Sequence, residues 1–321
     1  MKHSTKILLI TGALLIAAGL ILFVTVMSLN NWNFSKLSTS KYETNSYTIS
    51  EKFNDILIKT NTADVIFRPS DNEECRVVCY EQKNMKHSVS EDNGTLSIEV
   101  TDTRKWYEYI GINFTSPKIT VYLPKSEYAS LSIKTDTGNI DIPREFSFDS
   151  IEISTNTGKI KCCASAYGTV KLKADTGDIS VNSTNVGGLD ISLSTGDIRI
   201  SSVNCSGSIK IKVSTGDTDL KDTSCQNLIS SGSTGDLSLK NVRVSQMLMA
   251  ERSTGDINFD RFDAAEIYVK TDTGDVEGTL LSEKVFITET DTGSIDIPKT
   301  ITGGKCEITT DTGDIEISIV K

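Results

Sequence analysis

The stretch from Val170 to Val181, VKLKADTGDISV, decides the fold. Val170, Leu172 and Ala174 alternate with polar residues before Gly177, and Ile179 and Val181 do the same after it. Alternation with period two marks a β-strand with one buried face, so the stretch reads strand, corner, strand. Glycine supplies the positive φ of a tight corner, and Asp beside it can bond the turn backbone.

The unit recurs through the second half of the chain. Its central glycines are Gly138, Gly158, Gly177, Gly196, Gly216, Gly235, Gly255, Gly274, Gly293 and Gly313, each 19 or 20 residues from the next. A fixed period of this length means stacked copies of one supersecondary unit. An antiparallel meander and a solenoid both fit. An open sheet of some twenty strands would leave an apolar face uncovered, and open sheets rarely grow so large. A solenoid stacks identical residues in columns about 4.8 Å apart. The expectation is therefore an all-β fold, a right-handed single-chain β-solenoid of about ten 19–20-residue coils, preceded by one transmembrane helix. Two main strands and a shorter third side make each coil. The third side has its own column, Tyr167, Val186, Cys205, Cys225, Val244 and Ala264, which breaks at Glu283 and Thr302.

Residues 7–29 carry no charge and are long enough to span a bilayer core of roughly 30 Å. Lys2 and Lys6 precede them, which places residues 1–6 in the cytoplasm and the remainder outside. A cleaved signal peptide is the competing reading, but the apolar run exceeds the usual signal core and no small-x-small site follows Met27. Residues 30–47 read as a polar stalk, 48–125 as an N-terminal cap with one degenerate coil in which Ala63 replaces the glycine, and 126–321 as the solenoid. Within the cap, 102–117 carries Trp106, Tyr107, Tyr109 and Phe114, an aromatic plug or a binding loop.

The 321 residues carry a formal charge of −10, which argues against a nucleic-acid partner. Aromatic content is 7%, low for a globular core but sufficient for a thin solenoid filled by Ile, Leu and Val. His3 and His87 lie outside the repeat, which removes most imidazole catalysis and most zinc sites from it. The segment ITVYLP (119–124) leading into LSIKTDTGNIDI (131–142), with the TGDI cores that follow, resembles a bacterial β-strand-repeat family of adhesin-like proteins. The resemblance covers roughly 48–321 and implies the fold more strongly than any activity.

Parity assigns faces. Thr137 and its equivalents before each glycine should point inward as a corner ladder, which argues against an ice-binding Thr-x-Thr array. Asp178, Asp197, Asp217, Asp236, Asp256, Asp275 and Asp314 follow the glycines and should form an outward acidic edge. They cap turns, or they bridge a weakly held Ca²⁺ between coils; no other cofactor is expected. Cys162, Cys205, Cys225 and Cys306 fall in inward columns, and Cys205 and Cys225 stand close enough to pair. Six residues before the glycine the outward column turns apolar at Ile229, Met249, Tyr268 and Ile287, with Met247 and Val285 beside it. Either this is an exposed partner patch or a register shift hides it. With Trp106 and Tyr107 it is the candidate partner surface. The sequence also predicts a bare final coil with unpaired strand edges.

The reading that follows is a non-catalytic, adhesin-like binding scaffold at the cell envelope, held in the membrane by residues 7–29 and contacting an envelope protein or cell-wall polymer. A polysaccharide-active enzyme using edge carboxylates, or an accessory component of an envelope-stress system, are the alternatives.

Overall fold

The structure, a computed structural model, describes residues 3–33, 40–72, 74–106 and 115–320. The helix His3–Leu29 precedes 23 strands joined in one hydrogen-bonded network among these residues. Strands before each glycine pair in parallel and in register, so that Leu131, Ile151 and Val170 stack, as do Ile133, Ile153 and Leu172. Strands after it do likewise, through Ile140, Ile160 and Ile179. These columns are buried and form one continuous core along the rod.

The glycine column is fixed twice over. All ten glycines have φ between +122° and +154°, backbone that side chains rarely tolerate. A Cβ at any of them would lie 1.9 to 2.3 Å from the carbonyl oxygen stacked beneath it. Beneath Gly138 that oxygen belongs to Ala63, so the degenerate coil stacks where expected.

A second corner follows six residues later. Ser183, Ser202, Asp222, Asn241 and Arg261 hold φ of +50° to +56° there. Asn and Asp tolerate this left-handed conformation best, and Asn241 also donates to Asp222 Oδ1 at 2.7 Å. Because five coils use four residue types, no repeated letter marks this corner.

The third side differs from the expected column at one position. Ala166, not Tyr167, stacks between Phe148 and Val186. A bulge between Ala166 and Thr169 shifts the register, leaving Tyr167 67% exposed with its hydroxyl donating to Glu127 Oε1.

The N-terminal end is closed by a change of strand direction. The strand Asp55–Thr60 lies between Glu127–Thr137 and Thr95–Asp102. Asp64–Pro69 lies between Ile140–Ile142 and Lys118–Leu123. Outside this layer Met85–Asp92 and Cys75–Gln82 pair antiparallel to it, and Tyr42–Ile49 pairs antiparallel to Cys75–Gln82. The region read as a stalk therefore already contains a cap strand from Tyr42 onward. The aromatic filling of this end comes from Phe53, Tyr128 and Phe148, with ring centroids 5.7 to 5.9 Å apart, and from Phe67 against Phe146. Trp106 is 77% exposed and does not plug the core, while Tyr107, Tyr109 and Phe114 lie outside the described residues.

The other end departs from sequence order. The strand Gly304–Thr312 pairs with Ile257–Thr273 on one side and with Lys284–Thr292 on the other. Ile315–Ile319 likewise lies between Val276–Leu280 and Ile295–Asp296. The stacking order is thus Gly255, Gly274, Gly313, Gly293: the last coil in sequence is inserted one layer in. The expected bare final coil is corrected accordingly, since the Gly293 coil ends the rod. Composition explains the exchange. The inserted coil buries Cys306, Ile308, Ile315 and Ile317. The displaced one offers Thr288 at a core position, and its second strand stops at Asp296, two residues before Pro298, which cannot donate to a ladder.

Candidate binding surfaces

The acidic edge is built by the turns themselves. The Oδ1 of each Asp accepts the backbone N–H of the Asp in the next layer, from Asp197 on Asp178 at 3.3 Å, through Asp236 on Asp217 at 3.0 Å, to Asp314 on Asp275 at 2.8 Å. Ser294 continues the ladder onto Asp314 at 2.7 Å. Asn139 does the same for Lys159 where the column lacks Asp. The second oxygens of Asp178 and Asp197 are occupied by Lys159 and Arg199 at 2.8 and 2.7 Å. The Lys159 bond, reinforced by the Asp197 amide, holds the Asp178 carboxyl below the usual range, and the Ser294 amide and hydroxyl lower that of Asp314. Asp219, two residues beyond Asp217, is pushed up by burial.

The threonine column is a correction. All ten threonines before the glycines are exposed rather than inward. Pairing runs from Thr155 with Ala174 to Thr157 with Thr176 and omits the residues between, so the chain rotates there and two consecutive side chains face out. Thr135, Thr155, Thr271 and Thr310, two residues earlier, are buried. A paired Thr-x-Thr face is therefore not formed, for a reason that parity alone did not supply.

The apolar outward column keeps its register. Leu228, Leu248 and Ile267 beside it are buried, whereas Met249 is 37% and Ile287 53% exposed, with Ile229, Tyr268 and Met247 half-buried. The exchanged coils interrupt it. Ile229, Met249 and Tyr268 stack, but Glu307 comes next and Ile287 follows Glu307. Lys305 lies 5.0 Å over the Tyr268 ring and pairs with Glu307 at 2.6 Å. The stripe is thus three residues on the rod's side, and Ile287 belongs to its end. There Val285, Ile295 and Ile301 are also exposed, Ile301 to 91%. Lys284–Thr292 pairs on one side only among the described residues.

All seven cysteines are free thiols, six of them buried and Cys163 half-buried. Burial pushes Cys75, Cys79, Cys162, Cys225 and Cys306 up to about 12, which keeps them neutral and inert.

One polar cluster was not legible in the sequence. Beneath the cap, His87 places Nδ1 2.7 Å from Glu81 Oε2 and Nε2 2.8 Å from Thr60 Oγ1. Glu81 also accepts the His87 backbone N–H and the Asn45 side-chain amide, both at 2.6 Å. With Cys79 these make the one group of three metal-ligating side chains with donor atoms within 4.8 Å among the described residues. The order hydroxyl, imidazole, carboxylate matches a nucleophile relay, but Thr60, Glu81 and His87 are 5%, 0% and 2% exposed. Sealed and hydrogen-bonded to protein, the cluster joins four strands of the cap. Only spacing across three strands reveals it, and no local motif carries that spacing.

No curated protein matches the chain. Among solved structures it is similar to a "putative lipid binding protein" of Parabacteroides distasonis, at 16% identity and TM-score 0.48 over 88% of this chain and 98% of that one. A "putative adhesin" of the same organism aligns at 13% identity and TM-score 0.46, over 87% and 98%. One from Bacteroides fragilis aligns at 15% and 0.37, over 87% and 97%. The family model described as Toastrack DUF4097 matches residues 53–224 and 206–321, and the chain belongs to that family.

Proposed function

We propose that the protein is a non-catalytic, adhesin-like scaffold of the cell envelope that binds a protein partner through the end of the rod formed by the Gly293 coil. The observation that carries this reading is the open layer itself. Lys284–Thr292 has one unpaired edge among the described residues, and Val285, Ile287, Ile295 and Ile301 stand exposed around it. Sheet edges with exposed apolar residues are usually protected, and where they are not they pair with another chain. At the opposite end, antiparallel strands close the core.

The apolar helix supports anchoring. Thr5–Leu29 is 25 residues, its most apolar 18-residue stretch has mean hydropathy 2.9, it is long enough to cross a bilayer, and Lys2 and Lys6 ahead of the uncharged run favour a cytoplasmic N-terminus. The ladder supports a structural role for the edge carboxylates: they serve backbone amides in a repeating pattern, and no pair among them stands apart from it.

Envelope extracts passed over the immobilised full-length protein should yield a protein partner. Ile287→Lys with Ile301→Lys should abolish capture and leave the melting temperature unchanged. Equal capture by this variant would reject the end of the rod as the contact.

A further inference from the structure

We propose that the cavity beside Arg252 is a binding site for an oxyanion, a carboxylate, sulfate or phosphate group carried on a small molecule or a polymer. It is separate from the end of the rod and does not rest on that reading.

Arg252 occupies a core position. The equivalent residues in other coils are Ala174, Leu193, Val213 and Thr271, and here a guanidinium replaces them. It is 3% exposed. One terminal nitrogen donates to Ser230 Oγ at 3.0 Å and the other to the Glu251 carbonyl at 2.8 Å, while Nε has no partner. Among the described residues no carboxylate lies within ion-pair distance; Asp236 acts on it only from further away. Burial lowers its pKa to about 10, so it stays charged at neutral pH. A buried cation without a counter-charge is costly, and proteins resolve this with a paired anion.

Space for that anion is present. The guanidinium itself fills the room left by Gly232, where a Cβ would come within 3.1 Å of Arg252 Cδ, Cζ and Nε, so the anion's place is the cavity above. A cavity of about 330 Å³ opens over these residues. Lys212 and Lys270 line it with Arg252, three cations facing the two acids Glu251 and Asp272 on a chain whose net charge is −10.

The repeat is altered to suit. Two residues before the glycine the outer coils carry Asp136, Asp175, Asp272, Asp291 and Asp311, but the four central coils carry Ser194, Ser214, Ser233 and Ser253. Three of these serines line the cavity, where they offer neutral hydroxyl donors in place of repelling carboxylates. Buried cation, missing side chain and interrupted acidic column coincide in one place. A guanidinium with lysines and hydroxyls around it suits a planar carboxylate or a tetrahedral oxyanion.

The test is isothermal titration of the full-length protein in detergent micelles, at constant ionic strength, with sodium sulfate, sodium phosphate and sodium glucuronate, chloride serving as reference. Binding of at least one is expected, and which one distinguishes a sulfated or phosphorylated carrier from an acidic sugar. Arg252→Met should abolish it. Lys212→Ala with Lys270→Ala, both on the surface and safe for folding, should weaken it about tenfold. General salt stabilisation acts on every variant alike, so the comparison excludes it. Titrations indistinguishable from chloride for all three anions would overturn the proposal, as would equal binding by the wild type and the lysine variant.

Discussion

Replacing Gly216 with alanine should break the rod at its middle. The residue holds φ at +136°, a region essentially confined to glycine, where a side chain costs roughly 1–3 kcal/mol. The added Cβ would sit 1.9 Å from the Gly196 carbonyl oxygen, against an ordinary contact of about 3.4 Å. Neighbouring layers are spaced at about 4.8 Å, so relief requires them to part by a large fraction of that spacing. The bonds from Gly196 N to Thr215 O and from Ile198 N to Asp217 O, both 2.9 Å, lie at the point of separation. Losing two such bonds at about 1 kcal/mol each brings the total to about 4 kcal/mol. Gly94→Ala is the control. That glycine also has positive φ, +80°, but nothing lies within 4 Å of a Cβ there, so the expected cost is roughly 1 kcal/mol. Urea unfolding of the full-length protein in micelles, followed by circular dichroism, reads both. Hydrogen exchange should show the loss of protection centred on 196–235 and fading over neighbouring coils, as nearest-neighbour stacking requires. If Gly216→Ala costs no more than Gly94→Ala, the stacked-carbonyl argument is wrong.

Three other expectations follow from the same geometry. Asp236→Ala removes the acceptor of the Asp256 amide, 2.9 Å away, and should cost about 1 kcal/mol, whereas Asp236→Asn retains an acceptor, as Asn139 does, and should be nearly neutral by urea unfolding. Asp178 and Asp314 titrate below the free value of 3.8, so their contribution is present above that pH and is lost as pH falls through the lower folded values; thermal melts should decline below about pH 4, with Asp219, shifted upward, opposing part of the loss. His87→Ala leaves the Glu81 carboxylate short of a donor in a sealed site and should destabilise the cap by about 3 kcal/mol, whereas a surface change such as Lys210→Ala should stay within about 0.5 kcal/mol in the same denaturation assay.

Much of the scaffold was readable because stacking repeats its demands. Every layer needs glycine where a carbonyl from the layer below leaves no room for Cβ, and every strand alternates because one face is buried. The apolar column of Ile229, Met249 and Tyr268 could be located by counting from the glycine for the same reason. Counting failed where the backbone leaves the ideal strand. Parity turns the threonines inward only when carried through the rotation at Asp-Thr, and puts Tyr167 in the core only without the bulge at Gly168, which shifts the register by one.

Residues close along the chain dictate the period, the corner chemistry, the composition of the core and the presence of an apolar helix. Tertiary structure decided what depends on which layer lies next to which. It placed the coil of Ile315 and Ile317 inside that of Thr288 and Pro298, because burying the more apolar layer is favourable and proline cannot sustain a ladder. It brought Thr60, Glu81 and His87 together from three strands of the cap. It also set Arg252 over Gly232, where a residue that breaks the core pattern meets one that leaves space for it.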